Sequence, residues 1–406
     1  MSGSFEHSLG RELESLRGQN LYRDLRRIDS PQSARVVQDG AEILNFSSND
    51  YLGFANEPRL QEAARSASAL FGAGAGASRL ICGSLSIFHE LEHALAAFKR
   101  TERAIVFSSG CSTALGVIPA LAGRKDILII DKLSHASIVD GARLSGATLR
   151  VFRHNDLNHL EEILRWANAK RCGPDARVVV ATDSVFSMDG DLAPVREIVE
   201  LKEKYGAALM LDEAHATGVI GAEGRGVADA EGVSAQVEIQ MGTLGKALGS
   251  AGGYICGSRV LIEFLINRAR SFVFSTAPVP AAAGAALAAI RLLQTTPGEE
   301  RRTRLWSRIR EFSAAVFPDD PEPPSAIIPL KIGAEDAAMT AARKLLEMGI
   351  LLPAIRYPTV SRNRARLRIA FSAAHSSQDV QTLVEALRRT GLAPVKEPVA
   401  ASATSA

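Results

Sequence analysis

Between residues 104 and 256 the chain alternates short aliphatic runs with helix-length segments, and few architectures can absorb such a pattern. Ala104-Ile105-Val106-Phe107, Ile127-Leu128-Ile129-Ile130, Val178-Val179-Val180-Ala181 and Ala208-Leu209-Met210-Leu211 are each continuous in apolar character. A strand that is apolar on both faces must be covered on both, which is the situation of a parallel strand lying between two layers of helices. The intervening segments, such as Leu157 to Ala167 and Pro194 to Lys204, carry helical spacing, with Pro194 placed where a first helical turn accepts it. The pattern predicts a βαβ succession, hence an α/β fold with a large, mostly parallel sheet and helices on both faces.

In open sheets of this kind ligands bind outside the carboxyl ends of the strands. Polar clusters follow the apolar runs at once: Ser108-Ser109-Gly110, Asp131-Lys132-Leu133-Ser134-His135, Thr182-Asp183-Ser184-Val185-Phe186-Ser187 and Asp212-Glu213-Ala214-His215. A further stretch, Gly242-Thr243-Leu244-Gly245-Lys246-Ala247-Leu248-Gly249, holds a lysine between small residues. A lysine desolvated in such a setting loses much of its preference for the protonated form, and its amine becomes a nucleophile toward an aldehyde. Each residue has an ordinary alternative: His135 as a helix start, Ser187 as turn chemistry, Asp212 as an N-cap, Lys246 as a solvated loop residue. His135, Ser187, Asp212, His215 and Lys246 all falling at one predicted edge argues instead for a site.

The flanks are simpler. Leu9, Leu13, Leu16, Leu21 and Leu25 among charges predict an amphipathic helix over 8–27, packed on the body as an arm. Phe317-Pro318-Asp319-Asp320-Pro321-Glu322-Pro323-Pro324 is a loop that no helix crosses, and beyond it a strand near Ala326 to Leu330, a helix over Asp336 to Met348, a strand over Arg366 to Phe371 and a helix over Ser377 to Arg389 are expected. The implied organisation is an N-terminal arm over 1–45, a large α/β body over 46–295, a smaller α+β part over 296–396 and a disordered tail over 397–406. Lys+Arg at 47 against Asp+Glu at 45 leaves a net charge of +2, which supplies no field for nucleic acid or an anionic membrane. Cys82, Cys111, Cys172 and Cys256 are scattered, without metal-ligand spacing or a disulfide framework, so no metal is expected and a reducing cytoplasm is. No apolar stretch is long enough to span a membrane.

If Lys246 forms an imine with an aldehyde cofactor, a carboxylate beside a ring nitrogen would make that ring a better electron sink, and Asp212 is the candidate. His135 would stack on the ring and His215 reach a ring hydroxyl, while a phosphate would take backbone amides at Ser109, Gly110 and Cys111 with the hydroxyl of Thr243. The cofactor these roles describe is pyridoxal 5′-phosphate. A nicotinamide enzyme would need a G-x-G-x-x-G turn after the first strand, and a P-loop would need G-K-[ST]; Lys246 is followed by Ala247, and neither motif is present.

Asn45 through Gly53, Leu133 through Ser137, Val185 through Asp191, Asp212 through His215, Thr243 through Lys246, Tyr357 through Val360 and Ala365 through Arg368 together resemble the α-oxoamine synthase family of pyridoxal-phosphate enzymes, of fold type I. The likeness covers nearly the whole chain apart from the tail. It implies that Lys246 carries the cofactor and moves the substrate's α proton, that Asp212 faces the ring nitrogen, that His135 stacks, that His215 and Ser187 hold the ring oxygen, and that Thr243 meets the phosphate. It implies also that Arg368 binds an amino acid's carboxylate, with Asn49 nearby and Thr359 in the substrate region. Ser275 and Thr276 resemble a stretch that reaches a neighbour's phosphate, so a homodimer with sites between subunits is expected. Arg23 aligns loosely with an arginine of the family's N-terminal arm. The sequence departs from the family where Cys111 follows Gly110 in place of an aromatic residue. The implied reaction is a decarboxylating condensation of L-alanine with a pimeloyl thioester, carried on coenzyme A or an acyl carrier protein. Branches using glycine or serine stay open, as does a non-catalytic scaffold, against which the Asp212, His215 and Lys246 set argues.

Overall fold

The computed structural model describes residues 2–393 except Cys172, Pro174, Asp320 and Pro321; the tail expected from 397 lies outside the described residues. Strands β1 (Arg35–Gln38) and β2 (Ala41–Asn45) form an antiparallel hairpin ahead of the main body. The body is built on β3 (Arg103–Phe107), β4 (Ile127–Asp131), β5 (Thr148–Phe152), β6 (Val178–Asp183), β7 (Ala208–Asp212), β8 (Ile239–Thr243) and β9 (Gly253–Gly257). Their order across the sheet is β3-β9-β8-β7-β6-β4-β5. β9 alone runs against its neighbours, so the sheet is mostly parallel, as the sequence pattern predicts.

Side chains of successive strand residues point to opposite faces, and the continuous apolar runs therefore feed two cores at once. Val178, Val180, Leu209 and Leu211 join the larger core with the helices Ser86–Lys99, Leu157–Lys170 and Val195–Lys204. Val179, Ala181 and Met210 join the other, against the helices Gly110–Leu121, Ala136–Ser145 and Arg259–Arg268. Three strands lack such runs. β5 is an edge strand with Thr148, Arg150 and Val151 exposed, and β8 and β9 contain Gln240, Gly242, Gly253 and Gly257.

After the helices Pro280–Leu293 and Thr296–Val316 come β10 (Ile327–Gly333), β11 (Ile350–Leu351), β12 (Ala354–Ile355) and β13 (Ala365–Ala370). β10-β13-β12 is a small antiparallel sheet, and β11 pairs parallel with β2, tying residues near 45 to those near 350. The helix expected over Ser377 to Arg389 has those bounds, closed at its start by a reciprocal Ser376–Asp379 cap.

The N-terminal helix is a correction. It spans Ser2–Gly18, not 8–27, and Asn20, at φ 56, turns the chain out of it. It does not pack on the body either: Phe5, Leu9, Leu13 and Leu16 are exposed, and of the predicted stripe only Leu21 is buried.

Candidate active site

β8 delivers Thr243 to the carboxyl edge, and the next residues close a tight loop through bonds from Leu244 N to Gly252 O (2.9 Å), Ser250 N to Leu244 O (2.9 Å) and Gly249 N to Lys246 O (2.8 Å). A Cβ on Gly249, at φ +59, would stand 2.4 Å from the backbone of Phe54, so only glycine lets the loop close there. Lys246 is half-buried because its Nζ faces a cavity of about 170 Å³, yet the walls enclose it. Burial pushes its amine from 10.5 down to about 8, with Asp212 and Asp183 opposing and Arg368 adding to the fall.

Nζ of Lys246 lies 2.7 Å from Nε2 of His215, and Nδ1 of His215 lies 2.7 Å from the hydroxyl of Tyr51. The Tyr51 hydroxyl donates to Asn49 Oδ1 (3.2 Å), and Arg368 Nη2 donates to the same oxygen (3.1 Å). With the tyrosine proton spent on Asn49, His215 Nδ1–H donates to Tyr51 and Nε2 is left to accept from Lys246. Burial, then the charges of Lys246 and Arg368, hold His215 well below its usual 6.5, so it is neutral. Arg368 is buried, and its Nε donates to the carbonyl of Ser187. Lysine, histidine, tyrosine and arginine thus form one chain of contacts from the amine to the guanidinium.

β6 and β7 end in register at Asp183 and Asp212, which puts two carboxyls side by side on the cavity floor. Asp212 Oδ1 accepts from Ala214 N (2.9 Å), and Asp183 Oδ2 accepts from the backbone N of His135 (3.0 Å). Burial and the charge of Asp212 hold the Asp183 carboxyl well above its ordinary 3.8. His135 caps the helix Ala136–Ser145, with Nδ1 2.8 Å from Ser137 Oγ; burial lowers its pKa while Asp212 opposes the fall.

The helix Gly110–Leu121 points its start at the same cavity. Ser109 and Ser112 cap each other there, which uses the Ser109 side chain and amide and leaves the Gly110 and Cys111 amides without a partner inside the helix. A Cβ on Gly253 would come within 2.8 Å of Gly110 N, so this close approach of helix start to β9 needs a glycine. Thr243 Oγ1, beside it, donates to Gly252 O and accepts from Gly245 N.

Gly110, Cys111, His135, Asp212, His215, Thr243 and Lys246 therefore line one cavity, with Asn49 and Arg368 joined to it through Tyr51. Ser187 contributes its carbonyl to Arg368. Ser275 and Thr276 do not line it; Thr276 is exposed and bridges to Ser78. Arg23 and Thr359 bond to each other, Nη2 to Oγ1 at 3.1 Å, and lie outside it too. Tyr51, Asp183 and Arg356 were not singled out by the sequence pattern. Arg356 is buried next to Arg23, donates to the carbonyl of Tyr22, and has an Nε without a partner among the described residues. A larger cavity of about 800 Å³ lies at the amino edge of the same sheet, but its Arg177 and Glu238 are spent on Asp126 and Lys202. Size alone does not mark the site.

The model of the class I and II aminotransferases matches residues 41–387, most of the chain. The chain belongs to this family. Within the class I and II aminotransferase family it is 46% identical over 387 residues to the 8-amino-7-oxononanoate synthase of Geobacter sulfurreducens, covering 95% of this chain and 98% of that protein. It is 47% identical over 382 residues to the protein of the same name from Methylococcus capsulatus, covering 92% and 96%. A solved serine palmitoyltransferase from S. paucimobilis with bound PLP–myriocin aldimine superposes with a TM-score of 0.87 at 30% identity, covering 96% of this chain and 99% of that one. The 8-amino-7-oxononanoate synthase of Francisella tularensis gives 0.73 at 28% identity, covering 86% and 98%. The resemblance to α-oxoamine synthases and the fold it implies are borne out.

Proposed function

We propose that this chain is an 8-amino-7-oxononanoate synthase of biotin biosynthesis, condensing L-alanine with a pimeloyl thioester, with loss of carbon dioxide and release of the thiol. The relatives' names support this, and the observation that carries it is the single contact chain from Lys246 through His215 and Tyr51 to Arg368. The cofactor is pyridoxal 5′-phosphate, as in the S. paucimobilis neighbour. The residues present fit it: an amine of depressed pKa for the aldehyde, two open helix-start amides for the phosphate, a carboxyl floor for the ring nitrogen and His135 on the wall for the ring face.

Pyridoxal phosphate, when bound, supplies an electron sink for the bond broken at the amino acid's α carbon. Arg368, fixed by Ser187 and Asn49, would hold the alanine carboxylate and so orient the α carbon, which selects the bond that breaks. Lys246 Nζ, with a pKa of about 8, takes the α proton and returns it after decarboxylation. Neutral His215 accepts from Nζ and keeps it aimed.

The same reading includes a homodimer in which Ser275 and Thr276 of one copy reach the other's site, supported by their lying outside their own cavity beside exposed Phe274. It includes a cytoplasmic location, which suits the free thiols Cys82, Cys111 and Cys256. It also divides the chain at 46 and 296, supported by the separate sheets of residues 103–257 and 327–370. Purified protein given L-alanine with pimeloyl-CoA or pimeloyl-acyl carrier protein should release thiol and carbon dioxide. A higher kcat/KM with glycine or L-serine than with L-alanine would overturn the assignment.

A further inference from the structure

His154 lies just past β5, outside the cavity, yet its ring connects two loops that build the site. Nδ1 is 3.0 Å from Asp131 Oδ1 and Nε2 is 2.7 Å from Asp191 Oδ2, with the ring edge-on to Phe186 at 4.4 Å. Carboxylates only accept, so an imidazole between two of them donates from both nitrogens and is a cation. Asp131, at the end of β4, also accepts from Leu133 N (2.7 Å) and Asn155 N (3.0 Å). Asp191 belongs to a tight hairpin over 185–192, closed by Phe186 N to Asp191 O (3.0 Å) and Gly190 N to Phe186 O (2.8 Å). Asn155 Nδ2 reinforces the grip at Asp191 Oδ2 (3.1 Å) and Leu192 O (2.9 Å), and Ser325 Oγ holds Gly190 O from the opposite side. The far face of this hairpin takes both arginines of β13: Arg368 at the Ser187 carbonyl, and Arg366 at Asp189 and at the Met188 carbonyl.

We infer that His154 is a positioning residue: bridging Asp131 and Asp191, it fixes the 185–192 hairpin and, through the Ser187 carbonyl, the guanidinium of Arg368 that takes the amino acid's carboxylate. The role is more than structural support, because the hairpin's base is held independently by Ala193 N to Ser184 O (3.0 Å) and the Val185–Leu192 bridge. Losing His154 loosens the tip that meets Arg368 and leaves the base closed. The inference rests on the proposed function, since it assigns Arg368 to L-alanine.

The test is His154→Asn, too short to span the carboxylates, in enzyme loaded with pyridoxal phosphate. L-alanine binding is read by calorimetry beside steady-state kinetics. Both Kd and KM for L-alanine should rise about tenfold while kcat falls less than about threefold, and in an Arg368→Lys background the same change should add less than about twofold, the signature of two residues acting through one contact. If His154→Asn does not fold, Asp191→Asn, which removes one arm of the bridge, is held to the same outcomes. An unchanged alanine Kd, or full additivity with Arg368→Lys, overturns the inference and leaves the proposed function standing. A wild-type enzyme that does not turn over alanine overturns both.

Discussion

At the scale of single residues, the protonation of Lys246 is the sharpest handle. Its pKa of about 8 means that the neutral amine predominates above pH 8 and not only above its ordinary 10.5. Capture of pyridoxal phosphate by the cofactor-free chain should therefore speed up as pH rises through about 8 and level off above it, as followed by stopped-flow absorbance. A rate still climbing at pH 10 would contradict the depressed pKa. Arg368→Ala should raise the alanine KM by roughly 10- to 100-fold, the worth of a hydrogen bond to a charged group, with the thioester KM unmoved. Asp212, His135 and His215 were legible because each follows an apolar run at a strand end, and Lys246 because it stands among glycines and other small residues. Tyr51 and Asp183 were not. Tyr51 meets His215 across 164 residues of chain, and Asp183 gains its meaning only from register with Asp212. Arg23 and Thr359, taken singly from family likeness, turn out to be partners of each other.

At the scale of elements, the four continuous aliphatic runs became central or doubly covered strands, as their composition requires. β5, β8 and β9 escaped notice because an edge strand is half solvated and because glycines stand where backbones approach closely. The antiparallel β9 still serves the site, since its amino end, Gly253, meets the start of the helix Gly110–Leu121. Equally hidden was the tie between the helix Ser86–Lys99 and the segment after β7. Lys99 and Glu213 form a buried ion pair, and Glu213 also accepts from Ala228 N (3.0 Å). Removing one partner leaves an uncompensated buried charge. Lys99→Met should thus lower stability by about 3–5 kcal/mol in urea unfolding, and a loss under about 1 kcal/mol would contradict this account of the pair.

At the scale of the whole molecule, the N-terminal helix shows what one chain leaves open. Its apolar stripe reads from sequence as a packed arm, but Phe5, Leu9, Leu13 and Leu16 are exposed, as are Leu70, Ile81 and Phe274. Periodicity reports which face is apolar and not which chain covers it. The proposed homodimer predicts a sedimenting species of twice the mass of a single chain, and an active monomer would contradict it. The proposed reaction draws together Lys246, the carboxyl floor and Arg368. It is tested most directly by thiol release from L-alanine, glycine and L-serine, each paired with pimeloyl and shorter acyl thioesters. The account predicts the highest kcat/KM for L-alanine with the pimeloyl thioester; a higher value for glycine or L-serine, or for a short acyl chain, would contradict it.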